Sequence, residues 1–318
     1  MNKTAYHALR EQAAWVDLSG RGKIRATGED RVRLLHAMCT NHVQQLIPGT
    51  GCYAFFLTAQ GRILADANVF AMPDYLLLDT EPGVLQRLVE HLDKFIIADD
   101  VSLHDFSQAT ATIAVEGPQS EAVLNKLGGM PAHVPGSLVE WGHRQIAHAS
   151  YTGGTGYLIF VDAQRKHELV AELEAAGVPQ ASLDDAETVR IENGRPRYGV
   201  DFTEAQIPHE TRLLNAIHFS KGCYLGQEIV ERVRSRGQVN RLLTPVRIEA
   251  AEPPARGTTV QREGKDVGEI TSAAFSPALS TVVAFAILRS EAIQKGDLST
   301  AAGARVTTAE RSAPTTEH

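Results

Sequence analysis

The stretch Lys221-Gly222-Cys223-Tyr224-Leu225-Gly226-Gln227-Glu228 sets one of only three cysteines between a lysine and a row of arginines, Arg232, Arg234, Arg236 and Arg241. From 221 to 241, five Lys/Arg stand against two Asp/Glu, a local balance of +3 in a chain whose net charge is −7. A thiol beside cations ionises more readily, because the positive field stabilises the thiolate. The same cations attract a carboxylate-bearing ligand. Charge alone is equally consistent with a solvated basic strand and a buried, inert cysteine.

A chain of 318 residues is long enough to bury roughly 75% of its unfolded surface and to divide into two or three domains. Its 43% hydrophobic and 22% charged residues are ordinary for a globular protein. The acidity argues against a general nucleic-acid binder, which needs Lys/Arg over a whole face to neutralise phosphate. Cys39, Cys52 and Cys223 are odd in number and far apart, so no disulfide framework is implied and a reducing compartment fits. The segment 1–20 has no apolar leader pattern. The apolar run Val282 to Leu288 has the length of a buried strand, not a membrane span. These features predict a cytoplasmic protein with no membrane partner.

Along the chain, Lys23 to Thr27 alternates like a strand, and Val32, Leu35, Met38 and Cys39 then follow at helical spacing. Tyr53 to Leu57 and Arg62 to Phe70 predict two strands around a Gln60-Gly61 turn, with Tyr75 to Leu78 as a third. Glu81 to Leu92 is expected as a helix capped by Thr80. Residues 111–177 follow the order strand, helix, hairpin, helix of a split βαβ module. A helix from Asp184 to Asn193 leads to the opening stretch. After Pro245, short β-rich segments separated by Gly and Pro predict a small barrel or sandwich. The tail beyond Arg311 is expected to be disordered.

Three further places carry candidate chemistry. Leu64, Asp66, Asn68 and Phe70 share one strand face, and an Asp inside a strand is unusual because its side chain disfavours the pleat. Arg232, Arg234 and Arg236 alternate, so in a strand they would share a face able to hold a carboxylate tail. His36, Cys39 and His42 form an HxxCxxH run, but only His36 and Cys39 share a helix face. That falls short of a structural metal set, and no metal site is expected.

The octapeptide resembles the K-G-C-[FY]-x-G-Q-E signature of YgfZ-type folate-binding proteins. These form a branch of the glycine-cleavage T-protein (aminomethyltransferase) superfamily linked to making or maintaining iron–sulfur enzymes. Arg190-Ile191-Glu192-Asn193-Gly194-Arg195-Pro196 with Tyr198-Gly199-Val200-Asp201 is similar to the superfamily's R-x-E-x-G-x-P…G-x-D block, and Ile207-Pro208-His209-Glu210 to the linker before the signature. Gln60-Gly61-Arg62-Ile63-Leu64-Ala65-Asp66 is similar to its folate hairpin, with one acidic residue in place of the usual pair. The Y-T-G-x-x-G-Y spacing around Thr152-Gly153-Gly154-Thr155-Gly156 is similar to a loop of its central site.

The resemblance implies an α+β fold: a three-domain cloverleaf around a central folate cavity, with two αβ domains, one ferredoxin-like, and a C-terminal β-barrel. It places a discontinuous folate-binding domain at 1–105 and 182–241, an inserted split-βαβ domain at 106–181 and the barrel at 242–311. It implies tetrahydrofolate as cofactor. Glu192, Tyr198 and some of Arg232, Arg234 and Arg236 would hold it, and Asp66 would lie near its one-carbon position. Cys223 would be the active thiol with Lys221 as its partner. Iron–sulfur assembly factors or client iron–sulfur enzymes would be the protein partners. The alternative is a folate-dependent aminomethyltransferase or demethylase, against which the cysteine signature and the single Asp66 both count.

Overall fold

A computed structural model describes residues 3–237 and 239–309. The architecture is α+β, with two five-stranded sheets and a closed six-stranded barrel. The chain begins with α1 (Lys3–Glu11) and β1 (Ala14–Asp17). It continues through β2 (Gly22–Thr27), α2 (Arg31–Met38), β3 (Gly51–Leu57), β4 (Ile63–Ala71), β5 (Leu76–Thr80), α3 (Leu85–Asp93) and β6 (Ser102–Asp105). These strands, β1 apart, form an antiparallel sheet in the order β3-β4-β5-β2-β6. Its β3–β4 hairpin turns at Gln60-Gly61 as the sequence predicts, and Phe55, Phe56, Ala65 and Val69 are fully buried in its core. Thr80 is the last residue of β5, not a helix cap. A short 3-10 turn over Pro82–Val84 separates it from α3.

The second unit holds β7 (Thr110–Glu116), α4 (Ser120–Lys126), β8 (Leu138–Trp141), β9 (Arg144–Ala147), β10 (Gly156–Asp162) and α5 (Lys166–Ala175). Its sheet runs β1-β7-β10-β9-β8, so residues 14–17 add a strand to the module expected over 106–181. Helices α4 and α5 bury Leu124, Leu169 and Leu173 against one face. The opposite face meets the first sheet through an apolar layer that includes Phe70, Leu77, Leu158 and Phe160, with the Phe70 and Phe160 ring centroids 5.7 Å apart.

Next come α6 (Leu183–Glu192), α7 (Pro208–Thr211) and α8 (Gln227–Arg236). A reciprocal capping box starts α6, with Ser182 and Asp185 each accepting from the other's backbone N–H. The arginines expected to alternate along a strand lie instead on α8. Gly226 (φ 82) and Gly237 (φ 66) bracket that helix in left-handed conformations that suit glycine. Glu228 pairs with Arg232 one turn on, at 2.7 Å.

The barrel is formed by β11 (Arg241–Ile248), β12 (Thr259–Arg262), β13 (Lys265–Ser276), β14 (Thr281–Arg289), β15 (Leu298–Thr300) and β16 (Arg305–Thr308), with α9 (Ser290–Lys295) after β14. Val246, Ile248, Val260, Ile270, Val282 and Leu288 fill it. The buried Arg190–Asp201 ion pair, 2.7 Å, ties it to α6, because Asp201 also accepts from Thr271 (3.0 Å) and Ser272 (2.5 Å) of β13. The tail beyond Arg311 lies outside the described residues. Among the described residues no helix is long and apolar enough to cross a membrane.

Candidate functional site

Where the apolar layer between the two sheets gives way to polar side chains, a two-part cleft opens. Its inner space, about 40 Å³, is lined by Arg21, Tyr53, Asp66, Asp79, Glu81 and Arg195 among others. An outer chamber of about 370 Å³ is bordered by Asn41, Cys52, Phe70, Pro135, His148 and Gly154, and it shares Tyr53, Asn68, Ser150 and Arg195 with the inner one. The outer volume falls in the range of small-molecule pockets, which are roughly 300–1,000 Å³.

Asp66 sits at the inner end. Phe55 is its cross-strand neighbour, so Tyr53 lies on the diagonal of the same face. The Tyr53 hydroxyl donates to Asp66 Oδ2 at 2.6 Å. Burial pushes the Asp66 carboxyl up to about 6, against the pull of the Tyr53 hydrogen bond. Burial, with Asp66 alongside, holds the Tyr53 hydroxyl protonated well beyond its ordinary range. A carboxyl that titrates near neutrality inside a cleft can hold a proton or pass it to a basic ligand atom. The solvated strand face that would make Asp66 bland is absent: Asp66 is 9% exposed.

Beside Asp66, across β4 and β5 of the same sheet, lies a charge lattice. Arg21 donates to both oxygens of Asp79 (2.8 and 3.0 Å) and to Glu81 (2.5 Å), and Asn68 donates to Asp79 at 3.0 Å. The loop after β9 forms the roof. Fully buried Glu116 gathers it by accepting from Ser150 Oγ (2.6 Å), Tyr151 N (2.8 Å), Thr152 N (3.3 Å) and Thr152 Oγ1 (2.6 Å). Tyr53, Arg21, Asp79, Glu81, Arg195 and Arg197 were not singled out from sequence. The one signal available was a pair of acids, Asp79 and Glu81, at the end of the apolar run Leu76 to Leu78.

The opening octapeptide lies elsewhere. Lys221 is buried, and its ammonium donates to the carbonyls of His36 (2.5 Å), Cys39 (2.7 Å) and Asn41 (2.8 Å). All three N–H donors are committed to the C-terminal end of α2, where a cation belongs. The Lys221 ammonium thus faces the end of α2. Gly226 packs so tightly that a Cβ there would come 2.7 Å from the Thr58 carbonyl, and one on Gly61 would meet Ile229 at 2.6 Å. The signature thus clamps α8 onto the β3–β4 turn. Cys223 is the one exposed cysteine; Cys39 is buried and Cys52 partly so. It does not line the cleft.

The expected folate ligands scatter. Glu192 lies outside the cleft lining, with both oxygens engaged by Tyr6 (2.5 Å) and Arg10 of α1. Tyr198 is buried and donates to the carbonyls of Ile63 (3.1 Å) and Leu64 (2.6 Å), which makes it a brace for β4. Arg232 and Arg234 are about half exposed and paired with Glu228 and Glu231; the side chain of Arg236 falls outside the described residues. The loop singled out by its glycines does reach the cleft, through Gly153 and Gly154.

A family model described as the GCVT N-terminal domain matches residues 2–221, and one described as the glycine cleavage T-protein C-terminal barrel domain matches 241–315. A putative chloroplast transferase of Arabidopsis thaliana is 31% identical over 81% of the chain, which spans 61% of that protein's length. An aminomethyltransferase of Streptomyces avermitilis is 30% identical over 88% of the chain and 79% of its own. The crystal structure of glycine cleavage system aminomethyltransferase T from Bartonella henselae superimposes with a TM-score of 0.87, covering 96% of this chain and 88% of that one at 21% identity, which establishes a shared fold. With both of its domain models matched in order along the sequence, the chain belongs to the glycine cleavage T-protein (aminomethyltransferase) family.

Proposed function

We propose that this chain is a tetrahydrofolate-binding protein of YgfZ type that supports assembly or repair of iron–sulfur clusters in client enzymes. Tetrahydrofolate is the cofactor of its family, and the cleft fits it chemically. The outer chamber offers Tyr53 and Phe70 to a flat ring, and Asn41 and Asn68 to polar ring edges. Tetrahydrofolate supplies a carrier for one-carbon units. Asp66 would face that carrier and hold or release a proton at its carboxyl, oriented by the Tyr53 hydroxyl. The charge lattice of Arg21, Asp79 and Glu81 would keep the wall fixed while a ligand enters.

The observation that carries the reading is the separation of thiol from cleft. Cys223 is exposed, on a loop pinned on either side by Lys221 and Gly226, so a macromolecule can reach its sulfur without entering the folate site. An aminomethyltransferase needs the cleft but has no use for that thiol. The discriminating experiment replaces the endogenous copy with Cys223→Ala or Asp66→Asn and assays iron–sulfur enzymes in the cell extract. The proposal expects both variants to lower those activities, and aminomethyl transfer from a loaded carrier protein to be undetectable in wild type. Silent Cys223→Ala together with measurable transfer would assign the chain to the transferase reading instead.

A further inference from the structure

Four arginines reach the inner cleft, and three are committed to carboxylates. Arg21 holds Asp79 and Glu81, Arg190 holds Asp201 and Glu187, and Arg197 donates to Glu187 (3.1 Å) and to the Tyr151 hydroxyl (3.1 Å). Arg195 differs. Among the described residues no carboxylate comes within ion-pair distance of its guanidinium, which faces the Tyr53 ring 5.0 Å from the centroid and lies near enough to Asp66 for its charge to favour the carboxylate there. Its stem crosses Gly153 (φ +82), where a Cβ would come 2.6 Å from Arg195 Cβ, so the loop leaves a notch for it. Arg195 also borders both chambers, between Asp66 on the inner side and Cys52 and Phe70 on the outer.

A fixed guanidinium in a partly enclosed wall, with each neighbouring cation already neutralised, is a receptor for an anionic group that a ligand brings with it. We propose that Arg195 binds a carboxylate of the ligand that occupies this cleft. The assignment rests on the folate reading only for the source of that carboxylate. Folate brings one on its glutamyl tail, whereas a small amino-acid substrate brings one beside its amine. The planar fork suits either source and a lysine ammonium does not reproduce it.

The test is calorimetric titration of wild type, Arg195→Gln and Arg195→Lys with three probes: tetrahydrofolate, 6-methyltetrahydropterin, which has the ring but no carboxylate, and glycine in the presence of saturating 6-methyltetrahydropterin. Matching thermal midpoints establish that the variants fold. A tail carboxylate on Arg195 gives at least tenfold weaker tetrahydrofolate binding in Arg195→Gln with 6-methyltetrahydropterin unchanged. A substrate carboxylate leaves both ring compounds unchanged and abolishes glycine binding. Arg195→Lys lies between wild type and Arg195→Gln in either case. The proposal is overturned if all three affinities stay within twofold in Arg195→Gln, if 6-methyltetrahydropterin weakens as much as tetrahydrofolate, or if wild type binds no probe. Failure of the folate reading alone looks different: wild type binds neither ring compound, while glycine, titrated by itself, still binds and still requires Arg195.

Discussion

Tyr53 and Asp66 face each other across the β3–β4 hairpin with a 2.6 Å hydrogen bond, and that bond closes the inner end of the cleft. The carboxyl is held at about 6, against an ordinary 3.8, chiefly by burial. Between those two pH values the folded chain binds more protons than the unfolded one. The stability Asp66 contributes is therefore fully present below 3.8 and lost as pH rises through about 6. At pH 8 the buried carboxylate costs up to about 3 kcal/mol. Asp66→Asn keeps an acceptor for Tyr53 and removes that cost. The expected result is a higher urea midpoint than wild type at pH 8, no gain at pH 3.5, and weaker folate binding. Equal midpoints at pH 8 would mean that the carboxyl is not destabilised by its site.

Lys221 satisfies three backbone carbonyls at the end of α2. Lys221→Met fills similar volume but orphans them, which costs on the order of 3 kcal/mol. Chemical denaturation measures this. A loss below 0.5 kcal/mol, the size typical of surface changes, would mean that the ammonium does not anchor the loop.

The thiols separate by access. Burial raises both Cys39 and Cys52 above the ordinary thiol value, whereas Cys223 is exposed. Iodoacetamide on the native protein is expected to label one site, identified as Cys223 by peptide mass, and three after unfolding. Cys223→Ala should leave stability within about 0.5 kcal/mol of wild type, as for other exposed positions. Native labelling of Cys39 would contradict the packing at α2.

The rings of His36 and His42 lie 4.7 Å apart, and those of His42 and His218 5.0 Å, with the Lys221 ammonium as the further nearby cation. Burial first, then these cations, press His36 down to about 4. Unfolded, it titrates at about 6.5, so the unfolded chain binds more protons between those values and stability falls as pH drops through that window. Asp66 acts in the opposite sense over part of the same range. The difference between His36→Gln and wild type isolates the histidine. The gap in denaturation midpoint should shift in favour of His36→Gln between pH 7.5 and pH 4.5, and a constant gap would refute the assignment.

Removing Arg190 leaves the buried Asp201 carboxylate without its cation at the joint between α6 and the barrel, at a cost of about 3–5 kcal/mol, and removing Asp201 leaves Arg190 with Glu187 as its remaining carboxylate. Arg190→Met and Asp201→Asn are each expected to lower the thermal midpoint strongly, and the double variant to recover part of the loss. Additive losses would show that the two do not act as a pair.

The β3–β4 hairpin, the helix after β2 and the barrel strands were legible because their apolar residues recur at the period of the element that buries them. The arginines of α8 misled for a related reason. Exposed charged residues carry no burial signal, so the alternation of Arg232, Arg234 and Arg236 fitted a strand, while the left-handed glycines at 226 and 237 that bracket a helix show only in the backbone. Asp66 could be picked out because an acid is out of place in a strand interior. Arg21, Asp79 and Arg195 could not, since each becomes a wall residue only when segments far apart in sequence meet. Spacing along a motif also carries no direction: Lys221 lies two residues from Cys223, and its side chain reaches the end of α2.

Tetrahydrofolate calorimetry on wild type, Asp66→Asn and Cys223→Ala tests the central claim most directly. The account predicts binding to wild type, an affinity for Cys223→Ala within twofold of it, and at least tenfold weaker binding to Asp66→Asn. Binding that depends on Cys223 but not on Asp66, or no binding to wild type, would contradict it.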